Sequence, residues 1–168
     1  EFTTAAFLSG SEDILVTGYD DDFRLLHMLS GHWKDTGIVK RTYTGHGNWV
    51  LNADVSSDGQ FVISTGDDFK TIIRDVVTVN QIYVRYLLKD NNWLVKLPNS
   101  PYYMCSKNAS KMLHYVTPSL KVIGFDQLDP VYNRPDIVLD SIGKYFGGAD
   151  QELVTRYREV WEKRIDRL

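Results

Sequence analysis

The chain repeats itself, and the repeat limits what it can fold into. Sliding the sequence by 47 residues sets Ile14-Leu15-Val16-Thr17 on Phe61-Val62-Ile63-Ser64, Asp20-Asp21 on Asp67-Asp68, and Leu25-Leu26 on Ile72-Ile73, with no gap. Ala6, Ser9 and Leu29 fall on Ala53, Ser56 and Val76. Apolar positions meet apolar positions and turn residues meet turn residues. A unit repeated at this spacing is one supersecondary motif that cannot bury its apolar face alone, so it needs neighbours of its own kind.

Each copy reads as strands. Val50-Leu51-Asn52-Ala53-Asp54-Val55 alternates in part, Phe61-Val62-Ile63-Ser64 is β-branched and aromatic, and Thr71-Ile72-Ile73 follows. Ser56-Ser57-Asp58-Gly59 and Gly66-Asp67-Asp68 are turn signals between them. Turns about ten residues apart predict antiparallel up-and-down strands. The period lies near the ~40–45 residues of a four-stranded propeller blade. Further strands are predicted from Gln81 to Leu88, at Trp93-Leu94-Val95-Lys96-Leu97, from Lys111 to Val116 and from Leu120 to Phe125, together completing a last, irregular blade. The expected fold is all-β: a partial propeller of about three four-stranded antiparallel blades over residues 1–128, then a helical extension over 129–168.

The helices have clear signals. Pro135 suits a first helical turn and Asp136 favours its positive end. Gly147-Gly148 ends that helix, and Asp150 caps a second. In the second, Leu153, Tyr157, Val160, Trp161, Ile165 and Leu168 recur at spacings of three and four, predicting an apolar face docked on the protein itself. Glu152 with Arg156, and Glu159 with Lys163, stand at i,i+4 on the other side.

Composition excludes some partners. The formal net charge is −3, so there is no basic surplus to neutralise phosphates, and nucleic acid is not expected. No apolar run reaches the ~18 residues of a membrane helix. The lone Cys105 permits neither an internal disulfide nor a structural zinc cluster. The start at Glu1-Phe2, without initiator methionine or signal-like segment, suggests a fragment or processed product and leaves the compartment open.

Thr44-Gly45-His46 followed by Arg74-Asp75, with His46 and Asp75 29 positions apart, resembles the Gly-His to Trp-Asp frame of WD40 repeats. In that family a buried network links the His, a Ser or Thr of the second strand, the Asp of the next turn and the Trp. The resemblance gives those roles to His46, Ser64 and Asp68, with Arg74 in place of the Trp and Asp75 as the closing Asp. In the first copy it assigns Thr17 and Asp21, with His27 and Met28 in place of Trp and Asp. Downstream, Asn92-Trp93-Leu94-Val95-Lys96-Leu97-Pro98, Tyr102-Tyr103-Met104-Cys105 and Tyr132-Asn133-Arg134-Pro135-Asp136 resemble the final blade and exit segment of bacterial WD40-repeat proteins, often followed by a caspase-like peptidase domain. The resemblance implies a non-catalytic interaction scaffold whose partners are another protein or further blades. Its alternative is a regulatory segment of a caspase-like peptidase with the catalytic domain elsewhere.

Catalytic and metal chemistry are weakly supported. Cys105 and His114 are the only candidate nucleophile and base, and no peptidase motif surrounds the cysteine. Asp20-Asp21-Asp22 and Asp67-Asp68 fall at turn positions, short of the six or so converging oxygens that calcium needs. His27, His32, His46 and His114 show no paired metal spacing, so neither metal nor cofactor is expected. Gly31-His32 lies only 14 residues before His46, which makes residues 30–37 an enlarged loop where Trp33 and His32 are candidate partner contacts. Asn108-Ala109-Ser110 matches a glycosylation sequon.

Overall fold

The computed structural model describes residues 2–8, 10–27 and 38–167. The chain divides into two compact units, residues 1–84 and 85–168. Among the described residues it is mostly β, with twelve strands in antiparallel sheets and three α-helices toward the C-terminus.

In the first unit β1 (Phe2–Phe7), β2 (Asp13–Gly18), β3 (Phe23–His27) and β4 (Ile38–Tyr43) form one sheet in chain order. A second meander runs through β5 (Val50–Val55), β6 (Phe61–Gly66) and β7 (Lys70–Asp75) to β8 (Gln81–Leu87), the strand that leads into the second unit. The repeat is therefore real, but the strands correct its offset by one residue. β1 and β5, and β2 and β6, begin and end 48 residues apart. The register break between Phe2 and Thr4 recurs between Val50 and Asn52. Ala5 faces Val16 as Ala53 faces Ser64, and Ile14 faces Leu26 as Val62 faces Arg74. In this frame Thr17-Gly18 matches Thr65-Gly66.

That one residue decides which faces correspond, because strand side chains alternate sides. The shared core gathers Leu15, Phe23, Leu25 and Tyr43 from the first sheet and Val50, Ala53, Val62 and Val76 from the second meander and its exit. Leu15 corresponds to Ile63, which is 41% exposed, while Val62 corresponds to Ile14. Opposite faces of the two copies are thus packed on each other. Phe7 is 74% exposed on the first sheet's outer side, although its counterpart Val55 is packed against the core. Phe23 stacks on Tyr43 with centroids 4.7 Å apart, and the Tyr43 hydroxyl donates to the Val76 carbonyl at 3.0 Å.

The second unit differs from the expected last blade. β9 (Trp93–Lys96) and β10 (Tyr103–Cys105) follow β8 in its sheet, whereas β11 (His114–Val116) and β12 (Val122–Gly124) form a separate hairpin. A short 3₁₀ turn at Ala109–Lys111 interrupts the chain before β11. The strand predicted to end at Phe125 instead gives way at that residue to α1 (Phe125–Tyr132), which sequence reading placed no earlier than Leu128. Phe125 is buried with Leu94 and Tyr103.

α2 (Pro135–Gly143) and α3 (Gln151–Ile165) begin as predicted, with Pro135 in the first turn and the Asp150 carboxylate accepting from Glu152 N–H at 3.0 Å and Leu153 N–H at 3.1 Å. The buried face of α3 overlaps the predicted one only in part. Val154 is buried, Trp161 and Ile165 are half-buried, and Leu153, Tyr157 and Val160 face solvent. The Arg134 guanidinium lies 3.9 Å from the Trp161 ring centroid and covers that side of α3.

Candidate functional site

His46, Ser64 and Asp68 come together in the first unit. His46 sits in the segment before β5, Ser64 on β6, and Asp68 in the turn to β7. His46 Nδ1 lies 3.0 Å from Asp68 Oδ1, and Nε2 lies 3.0 Å from Ser64 Oγ. A carboxylate only accepts, so Nδ1 donates to Asp68, and a ring carrying one proton accepts the serine hydroxyl at Nε2. Asp68 also accepts from Gly47 N–H at 2.7 Å, Lys70 N–H at 3.1 Å and the Lys70 ammonium at 3.0 Å. Burial alone would raise this carboxyl; the hydrogen bonds from Gly47, His46 and Lys70 outweigh it and hold it down at about 2.

Gly66 makes room for this arrangement. A Cβ there would lie 2.6 Å from His46 Nδ1 and 2.8 Å from Asp68 Oδ1. Sequence reading treated Gly66 only as a turn residue and did not pick out Gly47 or Lys70. The close packing of Gly66 beside the Asp67-Asp68 turn was the available signal.

The other assigned residues stand apart. Arg74 is 2% exposed and donates through Nη2 to the Thr44 carbonyl, while its Nε has no hydrogen-bond partner. Burial lowers its pKa to about 10. It makes no hydrogen bond to His46, Ser64 or Asp68 among the described residues. Asp75 caps the following turn, accepting from Val77 N–H at 2.9 Å and Thr78 N–H at 2.7 Å. In the first copy the strand frame places Val16 and Asp20, not Thr17 and Asp21, at the positions of Ser64 and Asp68. Val16 has no hydroxyl to offer, Thr17 shares a hydrogen bond of 2.7 Å with Thr4, and Asp21 is exposed. The side-chain roles proposed for Trp33, His32, His27 and Met28 lie outside the described residues.

Cys105 is half-buried in the second unit. Its sulfur accepts from Asn133 Nδ2 at 3.6 Å and lies 3.9 Å from Asp129 Oδ1. Burial, helped by the Asp129 charge, pushes the thiol up to about 11. His114 is exposed on β11 and makes no hydrogen bond to Cys105. A thiol raised this far holds roughly a hundredfold less thiolate at neutral pH than an ordinary cysteine. Native protein at pH 7.5 should therefore react with iodoacetamide far more slowly than the same protein in guanidinium. Equal rates would show that the thiol is open and unshifted.

Among the described residues, no group of three or more His, Cys, Asp or Glu is placed to hold a metal ion. None of their helices is long and apolar enough to cross a membrane. A scan against protein-family models finds no match. The arrangement around His46 fastens the segment before β5 to the β6–β7 turn.

Proposed function

We propose that the chain is a non-catalytic protein-interaction scaffold formed from blades of a WD40-type β-propeller. The observation that carries this reading is the packing of opposite faces between the two repeated sheets. Same-face packing would close on itself as a two-layer sandwich. Opposite-face packing is head-to-tail: each unit offers the next an unfilled face, and such contacts propagate until a rotation closes them. The exposed Phe7 and Ile63 lie on the two faces left over. The His46–Ser64–Asp68 tie supports the same reading, since it stiffens a loop end and leaves the chemistry of those residues occupied. A rigid framework presenting loops at one end is suited to contacts with other proteins.

Electron microscopy of the natural protein that contains this sequence tests the proposal. The expected result is at least about four sheets around one axis, with Phe7 and Ile63 covered by neighbouring sheets. An intact protein in which both residues stay in solvent and only two sheets pack together would overturn it.

A further inference from the structure

The first unit carries a cluster of aromatic rings on the end where its turns meet. Tyr19 follows β2, Trp49 precedes β5, and Phe69 lies between β6 and β7; they are 55%, 49% and 67% exposed. Tyr19 and Trp49 meet edge to face, with centroids 5.3 Å apart and planes at 78°. The three segments are joined through the backbone. Val50 N–H donates to the Asp20 carbonyl at 2.9 Å, and Asp67 N–H donates to the Trp49 carbonyl at 2.9 Å. Phe69 holds a left-handed backbone, φ 58°, which costs a non-glycine residue free energy.

The surroundings of these rings are acidic. Asp20, Asp21 and Asp22 continue directly from Tyr19, and Asp67 lies beside Trp49 through Asn48, whose amide donates to it at 3.2 Å. Arg24 answers Asp20 at 3.6 Å, while Asp21 and Asp22 form no ion pair among the described residues. Burial, reinforced by Asp21 and Asp20 and opposed by Arg24 and Arg74, raises the Asp22 carboxyl above its ordinary value. A pocket of about 130 Å³ opens here, lined by Tyr19, Asp20, Asp22 and Arg24 among others. That is well below the ~300 Å³ or more of a small-molecule site and suits a single charged side-chain head.

We infer that this loop end docks a positively charged peptide segment, seating an arginine or lysine head against Tyr19 and Trp49 with Asp20 and Asp22 beside it. Aromatic faces attract cations, and the carboxylates supply the charge complement that an uncharged or acidic segment would lack. The inference deepens the scaffold reading and rests on it, but concerns a different surface from the open sheet faces.

The test is fluorescence anisotropy of a labelled synthetic peptide of alternating glycine and arginine, titrated with the whole chain. Binding should saturate, and the matching glycine–glutamate peptide should not bind. Trp49→Ala should weaken binding about tenfold, since truncation removes both the cation–aromatic attraction and the ring's apolar cover. Asp22→Asn should also weaken it several-fold, with the circular dichroism of both variants unchanged. If Trp49→Ala fails to fold, Tyr19→Ala carries the same expectation. No saturable binding, full affinity in the folded aromatic variant, or displacement by spermine as effective as by unlabelled peptide at equal charge would overturn the inference. Failure here alongside a closed ring in the natural protein would remove only this surface. Binding without a ring would remove only the propeller.

Discussion

Arg134→Ala should destabilise the second unit by about 3–5 kcal/mol, because it strands a buried carboxylate. The Asp136 side chain is 1% exposed. Arg134 grips it with two parallel bonds, Nε to Oδ1 at 2.8 Å and Nη2 to Oδ2 at 2.6 Å, and Arg158 stands 3.8 Å off. Burial alone would raise the Asp136 carboxyl, but the Arg134 fork outweighs it and the pKa is lowered. The same guanidinium stacks on Trp161, so one side chain joins the start of α2 to the middle of α3. Guanidinium unfolding followed by helical circular dichroism measures the loss. The double replacement Arg134→Met with Asp136→Leu should recover much of it, because an apolar pair removes the buried charge together with its partner. An unfolding midpoint in Arg134→Ala equal to that of the parent would show that the clasp contributes nothing to stability.

This clasp was visible in the sequence only as a pattern. Arg134-Pro135-Asp136 stood out through its resemblance to an exit motif, and Pro135 and Asp136 marked a helix start. Nothing local indicated that the arginine would turn back on the aspartate two residues later and cover Trp161, because that arrangement depends on how α2 and α3 pack. The same limit explains the missed face of α3. Leu153, Tyr157 and Val160 have the spacing of a buried stripe, but Val154 and the Arg134–Trp161 stack set the helix's rotation.

The repeat was legible and its phase was not. Val16-Thr17 and Asp20-Asp21 each offer two candidates for one position, so an offset of 47 reads almost as smoothly as the 48 that the strand bounds impose. Hydrophobicity cannot separate them, since both faces of each sheet carry apolar residues. Only the Thr-Gly pair shared by residues 17–18 and 65–66 fixes the frame. The slip mattered because one residue exchanges inside for outside, and it set Thr17 and Asp21 at positions that the strand pairing gives to residues 16 and 20. In the second copy His46, Ser64 and Asp68 do meet, although Ser64-Thr65 and Asp67-Asp68 offer the same adjacent alternatives.

His46→Ala should lower stability by about 1–3 kcal/mol, because two hydrogen bonds disappear and the buried Ser64 hydroxyl loses its partner. For a chain of this length that is several degrees of melting temperature. The pH dependence separates this tie from a generic packing defect. Asp68 titrates at about 2 in the folded chain against an ordinary value of 3.8. A folded pKa below the unfolded one stabilises the fold above the unfolded value, and that stability disappears as the pH falls through the folded one. Asp68 therefore contributes about 2 kcal/mol at neutral pH, lost between about pH 4 and pH 2. Asp68→Asn should remove that acid-limb contribution altogether. His46→Ala should reduce it only in part, because Gly47 N–H and Lys70 still hold the carboxylate. Thermal melts of the three proteins from pH 2 to pH 7 measure both effects. If His46→Ala melts with the parent at every pH, the ring adds nothing to stability, and the segment before β5 is held to the β6–β7 turn by its remaining hydrogen bonds, among them Gly47 N–H to Asp68 and Asp67 N–H to the Trp49 carbonyl.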